Sequence, residues 1–466
     1  MDVIVIGAGP TGLVLAHELA LAGARTVVLE RLPQRIRQVK GGSIQPRTAE
    51  LLDARGLLDA IEARALERPA VGGHFAALPV PLDCTGWNTR HPYPIAVPQW
   101  AIEDALAEAV VARGVEVLRD HPVTAVEQDD TGVTVTAGGA EFRASYAVAC
   151  DGAHSTVRHL LDLPFPGRPG SYRAVLTDVR LTAVSDQVPT TAGHMSTLTR
   201  QGDGYFGMLV PVGDDEYRFT YGATGAEPAS DTPEGVQRAL TAVYGEGTVL
   251  GEVLTSSWFG DATRQLEHYR HGRVLFAGDA AHIHPPWGAQ GLNLGVQDAV
   301  NLGWRLAATV AGHDLLDGYE TERHPKAARV LHHTSAQRLL ANPNSDEDVA
   351  ALRDIVTDLM RLPDTNHHLA GMMSGLDVEG RVPDLDLVTA DGPTRLAELL
   401  RTGRGLLLDP TDAVDLPEGW ADRVDLVRVK CEDDIGPLLI RPDAIACWSG
   451  DGSLTDALTR AFGQAS

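Results

Sequence analysis

The sequence lacks several features that define whole classes of protein. It has four cysteines and no Cys-x-x-Cys pair, which argues against a disulfide scaffold or a zinc site and favours a reducing compartment. No stretch approaches the ~18 uninterrupted apolar residues that a membrane helix needs. The first residues, MDVIVIG, lack the basic region of a signal peptide. We therefore expect a cytoplasmic protein.

Basic residues are also scarce. The 39 Lys and Arg residues stand against 63 Asp and Glu residues, which gives a formal net charge of -24. This charge repels phosphate backbones and anionic headgroups, and no basic patch offsets it locally. Neither nucleic acid nor a membrane surface is therefore an expected partner. All but three of the cations are Arg, whose planar guanidinium group suits phosphate and carboxylate contacts.

The length and composition describe an ordinary globular chain. Its 466 residues allow two or three domains, since one domain takes roughly 100 to 200 residues. A hydrophobic fraction of 44% with 22% charged residues excludes disordered and collagen-like chains.

The first 30 residues have the pattern of a dinucleotide-binding βαβ unit. An apolar run at residues 2–6 is followed by Gly7-Ala8-Gly9-Pro10-Thr11-Gly12, a helical pattern and a second apolar run that ends at Glu30. The glycines allow a tight turn, a close approach to pyrophosphate and close packing of helix on strand. The helix N-terminus favours phosphate, and Glu30 is placed to bind ribose hydroxyls.

A second Gly-x-Gly-x-x-Gly match, at residues 202–207, has a different context. It is followed by Met-Leu-Val-Pro-Val, an extended run and not a helix. We therefore interpret it as a turn between strands, without a phosphate site.

The pattern along the chain predicts three domains. Short extended runs separated by Gly, Asp and Pro indicate a mainly antiparallel sheet within residues 171–258. Residues 1–170 and 259–375 then form a discontinuous domain that ends in helices. A smaller α/β domain follows at residues 381–466.

The segment from Gly272 to Leu306 carries the second group of candidate site residues. A buried strand ends at Gly278-Asp279, where the carboxylate can accept hydrogen bonds from a polyol chain. Pro285-Pro286 then leads into a loop of small residues that opens directly into a helix from Leu292. Such a loop lets a flat ring lie close to the main chain, and the helix N-terminus favours an anionic ring.

These segments, with Cys150-Asp151-Gly152-Ala153-His154-Ser155-Thr156-Val157-Arg158, resemble the class A FAD-dependent aromatic hydroxylases with the para-hydroxybenzoate hydroxylase fold. The resemblance implies an α/β fold in which a Rossmann-like FAD-binding domain is interrupted by a substrate-binding sheet. It also implies that FAD is the cofactor and NADPH or NADH a transient co-substrate. The cofactor-binding residues that it implies are Gly7, Gly9, Pro10, Thr11, Gly12, Glu30, Arg31, Lys40, Gln99, Asp151, Asp279, Pro286, Gly291, Leu292 and Asn293.

Lys40 departs from the family pattern, because similar enzymes commonly place an arginine near the pyrophosphate. Arg37 or Arg47 is an alternative source of positive charge there. The C-terminal part is similar to the thioredoxin-like extension of aromatic polyketide and rifampicin hydroxylases, with Ala444 at a position usually held by glycine. Without a Cys-x-x-Cys pair it cannot carry out dithiol chemistry, so we expect a structural or oligomerisation role.

The resemblance implies that reduced flavin and O2 form a C4a-hydroperoxide, which transfers one oxygen atom to an aromatic substrate, with a polycyclic polyketide of secondary metabolism expected. Pro286 and Trp287 are the flavin-adjacent candidates for catalysis, but no general base is identified. Five residues of the predicted sheet stay unranked in that role: His194, Tyr205, Tyr217, Arg218 and Tyr221. No metal site is predicted, because the His pairs lack an acid or Cys at ligand spacing.

Several alternatives remain open at this stage. The same fold can run a Baeyer-Villiger oxidation, an epoxidation or an antibiotic inactivation. A more distant alternative is a non-catalytic flavin-binding protein. The oligomeric state is also open, and a homo-oligomer is one option.

Overall fold

A six-stranded, mostly parallel sheet lies at the centre of the molecule. The structure, a computed structural model, describes residues 1–37, 42–66, 72–225, 228–342 and 344–466. The strands run in the order Arg270–His271, Val274–Phe276, Tyr146–Ala149, Val3–Ile6, Thr26–Leu29 and Glu116–Leu118. All neighbours are parallel except the first pair. Val3–Ile6 is entirely buried, as a central parallel strand requires.

Two helices pack against each other over this sheet, Pro10–Leu21 and Gln290–Val310. Glycines in the longer helix permit the close approach. A Cβ on Gly295 would stand 2.4 Å from Thr11 Oγ1, and a Cβ on Gly303 would stand 2.3 Å from the Glu18 Cβ. The small residues therefore fix the N-terminus of the first helix next to the start of the second.

Further helices and one more sheet complete this part of the chain. A three-stranded antiparallel sheet contains Val123–Asp129, Gly132–Ala137 and Ala140–Ala144. The helices are Pro46–Asp53, Leu58–Glu62, Gln99–Ala112, Thr156–Leu160, Asp317–Leu340, Glu347–Met360 and Pro363–Ser374. Short 3-10 turns span Gly278–Ala280 and Trp287–Ala289. No helix in the described ranges is long and apolar enough to cross a membrane.

The predicted antiparallel sheet is present. Its strands follow the order Thr199–Gly202, Tyr205–Pro211, Glu216–Ala223, Arg173–Ala183 and Val249–Gly260. The second Gly-x-Gly-x-x-Gly match includes the turn between the first two strands, as expected. The sequence interpretation missed two helices, Met195–Leu198 and Pro233–Tyr244. The longer helix packs on one face of this sheet, where it shares a core with Tyr217, Phe219 and Tyr221.

The buried carboxylate of Asp261 connects the two segments through which the chain enters and leaves this sheet. Asp261 accepts hydrogen bonds from the Ser171 backbone and side chain, both at 2.6 Å, and from the Tyr172 N–H at 3.1 Å. Arg168 and Arg338 lie at 3.2 and 3.3 Å from its Oδ2. A small sheet of Gly167–Arg168, Thr263–Gln265 and His282–Ile283 lies next to these segments.

The C-terminal part contains two small sheets and supports the thioredoxin-like interpretation. One has the strand order Val424–Arg428, Gly405–Asp409, Leu438–Ile440 and Ala446–Trp448, and the other has Gly392–Arg395, Asp386–Thr389 and Lys430–Cys431. Its helices are Leu396–Leu399 and Leu454–Phe462, with a 3-10 turn at Leu400–Thr402. The three predicted domain boundaries stay a prediction.

Buried arginines join the C-terminal part to the remainder of the chain. Arg55 pairs with Glu18 at 2.6 Å and also donates to the Pro442 carbonyl at 2.8 Å. Arg441 makes two hydrogen bonds to Glu322, at 2.6 and 2.8 Å. Because charges this deeply placed are stable only when paired, both sides of the contact depend on each other.

Candidate functional site

The glycine turn lies at the carboxyl end of the central strand Val3–Ile6. Gly7 has a φ of 105°, and a Cβ there would lie 2.5 Å from the Cys150 carbonyl oxygen. A Cβ on Gly12 would stand 2.0 Å from the Gly7 oxygen, so both positions require glycine. A Cβ on Gly9, in contrast, would meet no atom of the described residues within 4 Å. The turn therefore leaves open space only where a ligand would approach.

The helix behind this turn has an N-terminus without a side-chain cap. Pro10 occupies its first turn and Gly9 its N-cap position. The N-terminal N–H groups of a helix carry partial positive charge and need acceptors. Together with the open space at Gly9, this arrangement fits the pyrophosphate of a dinucleotide.

Glu30 follows the neighbouring strand, Thr26–Leu29. Its two carboxylate oxygens accept hydrogen bonds from the Ala8 N–H at 2.8 Å and the Leu32 N–H at 2.9 Å. These bonds fix the half-buried carboxylate beside the glycine turn, and each oxygen keeps a lone pair for a further donor. Arg31, the next residue, is exposed.

Asp151 follows the strand Tyr146–Ala149, on the other side of the central strand. Its Oδ2 accepts a hydrogen bond from the Val157 N–H at 3.1 Å. Its Oδ1 is buried and accepts no hydrogen bond from the described residues, and burial raises the pKa of this carboxyl. A buried acceptor without a donor is costly, so the orphaned oxygen is a second observation that fits a bound ligand here.

Gly278 and Asp279 follow the strand Val274–Phe276. Parallel strands end at one sheet edge, so this pair, Asp151, Glu30 and the glycine turn meet there. Gly278 has a φ of 61°, and a Cβ there would lie 2.7 Å from Thr11 Oγ1. Asp279 is exposed at this edge.

A buried ionic group that the sequence interpretation missed supports the Gly278 turn from below. Asp298 accepts hydrogen bonds from the Gly278 N–H at 3.2 Å, His282 Nε2 at 2.7 Å and Arg323 Nε at 2.7 Å. Although burial opposes it, the Arg323 guanidinium and His282 hold the pKa of Asp298 below its ordinary value. The carboxylate therefore stays charged and fixes the turn.

The loop that carries Pro286 and Trp287 ends at the helix Gln290–Val310. Ala289 is its N-cap, with a φ of 52° and no side-chain cap. The helix starts two residues before the predicted Leu292, so Gly291, Leu292 and Asn293 lie in its first turn. Pro286 is exposed, whereas Trp287 is half-buried, and its enclosed Nε1 has no acceptor among the residues that the structure describes.

Two amide side chains clamp this loop, and the sequence interpretation found only one of them. Asn293 Oδ1 accepts a hydrogen bond from the Gln45 N–H at 2.8 Å, and Asn293 Nδ2 donates to the Ser43 and Ala289 carbonyls at 3.0 and 2.8 Å. Gln45 Nε2 donates to the Gly288 carbonyl at 2.9 Å. The Asn293 side chain is thus fully used, which leaves its backbone for a ligand.

The remaining candidates for cofactor binding are Gln99, Lys40, Arg37 and Arg47. Gln99 begins the helix Gln99–Ala112 and donates to Glu103 Oε1 at 2.8 Å. Lys40 lies outside the described residues. Arg37 lies over the Trp100 ring at 4.5 Å. The prediction that Arg47 supplies positive charge to the pyrophosphate is wrong, because the Arg47 side chain is buried.

The partners of Arg47 explain this correction. Its Nη1 donates to Glu50 Oε2 at 3.0 Å and its Nη2 to the Asp443 carbonyl at 2.7 Å. A guanidinium that neutralises a glutamate and reaches the C-terminal part is not available to a phosphate.

The five unranked residues of the inserted sheet separate in the structure. Tyr217 and Tyr221 are buried in the core below the helix Pro233–Tyr244, and the Tyr221 hydroxyl donates to the Ser230 carbonyl at 2.6 Å. Burial raises the pKa of Tyr221, so it is excluded as a base. Tyr205 packs at the edge of the same core.

Arg218 and His194 contact residues that lie outside the inserted sheet. Arg218 pairs with Asp178 at 3.0 Å, and its Nη1 lies 3.1 Å from the Cβ position of Gly42. The His194 ring packs edge-on against His74 at 6.5 Å between centroids. Burial lowers the pKa values of both histidines, to about 4 for His74, which keeps them neutral. No group of three or more potential metal ligands occurs in the described ranges.

Two protein-family models together match most of the chain. A family model described as FAD binding domain matches residues 1–334. A second one, described as aromatic-ring hydroxylase, C-terminal, matches residues 378–465.

Individual relatives cover the whole chain. It is 44% identical over 506 residues to 12-dehydrotetracycline 5-monooxygenase/anhydrotetracycline 6-monooxygenase from Streptomyces rimosus subsp. rimosus, with 99% of each chain covered. It is 41% identical over 483 residues to rifampicin monooxygenase from Streptomyces venezuelae, covering 98% and 97%. The solved structure of OxyS anhydrotetracycline hydroxylase from Streptomyces rimosus has a TM-score of 0.90 and 42% identity, covering 100% and 99%.

One relative has a different kind of name. Dialkyldecalin synthase from Streptomyces rugosporus is 37% identical over 475 residues, with 99% of each chain covered. Full-length similarity therefore extends beyond proteins named as monooxygenases.

Proposed function

Because the chain belongs to the FAD-dependent aromatic-ring monooxygenases, we propose that it adds one oxygen atom of O2 to a polycyclic aromatic polyketide in antibiotic biosynthesis. The observation that carries this proposal is the meeting of the glycine turn, Asp151 and Asp279 at one sheet edge. When bound, FAD takes up two electrons from NAD(P)H and activates O2. The side chains of this site bind, orient and exclude water.

The adenosine half of FAD lies, in this proposal, at the glycine turn. The uncapped N–H groups of the first helical turn, beginning at Thr11 because Pro10 has no N–H, bind the pyrophosphate, helped by a cation at Lys40 or Arg31. The fixed Glu30 carboxylate accepts hydrogen bonds from the ribose hydroxyls. Gly7 and Gly12 act by permitting the turn and the helix packing described above.

The flavin half would be held by Asp279 and by the loop before the helix Gln290–Val310. Asp279, with Gln99 and Asp151, would accept hydrogen bonds from the ribityl chain or donate them to it. The first-turn backbone of Gly291, Leu292 and Asn293 would bind the pyrimidine side of the ring, where partial positive charge favours an anionic ring. These residues bind the cofactor and carry out no catalytic step themselves.

Trp287 and Pro286 are the proposed contacts at the reacting face. The Trp287 Nε1–H is a buried donor without an acceptor, so a substrate oxygen placed there gains a hydrogen bond that water cannot supply. Pro286 adds a rigid, apolar contact that limits water at the same face.

The test combines the spectrum of the protein with its reaction. Purified protein should show flavin absorbance after FAD addition and oxidise NADPH faster with a polycyclic phenol present. With 18O2, the product should gain one labelled oxygen atom. Protein without flavin absorbance, or a product without label, contradicts the proposal. The position of the label separates hydroxylation from Baeyer-Villiger oxidation and epoxidation.

A second candidate is a non-redox role of bound FAD, favoured by the similarity to dialkyldecalin synthase. In that case the pocket would convert its substrate without consuming NADPH or O2. A product of unchanged mass, formed under nitrogen, identifies this alternative.

We further propose a cytoplasmic homo-oligomer. Four apolar side chains lie exposed along the helix Glu347–Met360 and just beyond its end: Leu352, Ile355, Leu359 and Leu362. The same helix begins with the acidic run Asp346-Glu347-Asp348 and is followed by Arg361, so an antiparallel second copy places opposite charges together. Light scattering of wild-type protein and of Ile355→Asp tests this, with a monomeric wild type contradicting it.

A further inference from the structure

His284 presents a buried acceptor atom that nothing in the described part of the chain satisfies. Its Nδ1 lies 2.8 Å from the Pro285 carbonyl oxygen. A carbonyl can only accept, so Nδ1 carries the ring proton. Nε2 is then an acceptor, and it is enclosed without a donor. Burial lowers the pKa of His284 to about 4, so the ring stays neutral.

The location of this atom indicates which group it serves. A Cβ at Gly291 would lie 3.8 Å from His284 Nε2 and 3.7 Å from Asp279 Oδ1. Two acceptors thus approach the same point from different segments of the chain, beside the first turn of the helix Gln290–Val310. A polyol carries hydroxyl donors on adjacent carbons, so one such chain can donate to His284 Nε2 while it also passes Asp279.

Resting on the proposed FAD site, we propose that His284 Nε2 accepts a hydrogen bond from a ribityl hydroxyl of FAD and thereby positions the flavin. His284 is a positioning residue here and takes no part in proton transfer. The buried lone pair is unsatisfied before FAD binds, so this hydrogen bond contributes to affinity for FAD and not to folding.

Two substitutions separate the two ring nitrogens. His284→Gln keeps an acceptor oxygen at the position of Nε2. His284→Asn keeps a donor toward the Pro285 carbonyl and removes the distal acceptor. His332→Asn, at an exposed position of the helix Asp317–Leu340, is the control.

The first measurement is the Kd of the apoprotein for FAD, from quenching of flavin fluorescence. We expect His284→Asn to raise the Kd about tenfold, the effect of one hydrogen bond, and His284→Gln and His332→Asn to stay within about threefold of wild type. Equal Kd values for the Asn and Gln variants would overturn the proposal. A wild type that binds no FAD contradicts the proposed function itself.

The second measurement is the thermal unfolding of the same apoproteins. An acceptor that serves only FAD predicts an unchanged or higher Tm for His284→Asn. A Tm that falls together with the FAD affinity would instead assign His284 a structural role and overturn the proposal.

The third measurement identifies the donor. FAD analogues that lack the 2′-, 3′- or 4′-hydroxyl of the ribityl chain are titrated against wild type and His284→Asn. For one analogue, wild type should lose about tenfold in affinity while the variant loses nothing further. If all three analogues weaken both proteins equally, the ribityl assignment is wrong.

Discussion

Replacing Asp298 with asparagine should destabilise the central part of the molecule strongly. The two Asp298 oxygens accept hydrogen bonds from Arg323, His282 and the Gly278 N–H, and the Arg323 and His282 side chains are almost completely buried. Asparagine keeps one acceptor but turns an amide donor toward these donors. The Arg323 guanidinium then stays buried without a counter-charge.

The magnitude follows from the burial of the pair. Removing one partner of a buried ion pair costs about 3–5 kcal/mol, because the other charge stays desolvated. Since a domain is stable by only about 5–15 kcal/mol, the loss should be plain in urea denaturation followed by tryptophan fluorescence. FAD affinity should fall as well, because Gly278 loses the acceptor that fixes its turn.

The control is Asp317→Asn, which removes an ion pair with Arg270 at 3.1 Å in which Asp317 is 95% exposed. A surface pair of this kind contributes about 0–1 kcal/mol. If Asp298→Asn costs no more than this control, the carboxylate does not support the turn and the reasoning is refuted.

Three further outcomes are expected. The Gly9→Ala apoprotein should be as stable as wild type in thermal unfolding. It should retain no FAD by flavin absorbance, because the added Cβ occupies the space that the ligand needs. Asp279→Ala should raise the FAD Kd about 10- to 100-fold, the loss of a charged acceptor, in fluorescence titration. Although burial opposes it, the Ser171 and Tyr172 hydrogen bonds hold the pKa of Asp261 at about 2. The stabilisation is therefore complete above pH ~4 and lost as pH falls toward 2, which acid unfolding can follow.

For each of these three predictions, one experimental result would contradict it. Gly12→Ala should lower apoprotein stability, since its Cβ meets the Gly7 oxygen; equal stability of the two glycine variants would show that the packing argument is wrong. FAD affinity unchanged in Asp279→Ala would move the ribityl site elsewhere. An acid transition that is unaltered in Asp261→Asn would show that this carboxylate does not govern it.

The predictions that succeeded rest on local chain geometry. Apolar runs bounded by glycine predicted the buried strands Val3–Ile6 and Val274–Phe276, because burial and turn formation act within a few residues. The helix Pro233–Tyr244 was missed although its signal is local too. Thr232 caps the Gly235 N–H at 3.2 Å and Pro233 stands in the first turn.

The predictions that failed depend on contacts distant in sequence. Arg47 has the charge for a phosphate, but only the fold reveals that its guanidinium reaches Asp443. His282, Asp298 and Arg323 are polar residues whose burial together no periodicity indicates. Ala444 lies between these cases: the resemblance marked its position as usually glycine, and its φ of 56° supplies the reason.

The buried arginines between the C-terminal part and the remainder of the chain also limit how this protein can be divided. Expressing residues 1–377 alone would leave Glu322 without Arg441 and Arg55 without the Pro442 carbonyl. The C-terminal fragment would in turn carry Arg441 without that glutamate. We therefore expect each shortened version to aggregate, and we expect hybrids between relatives to work only where Arg441 and Glu322 are exchanged together.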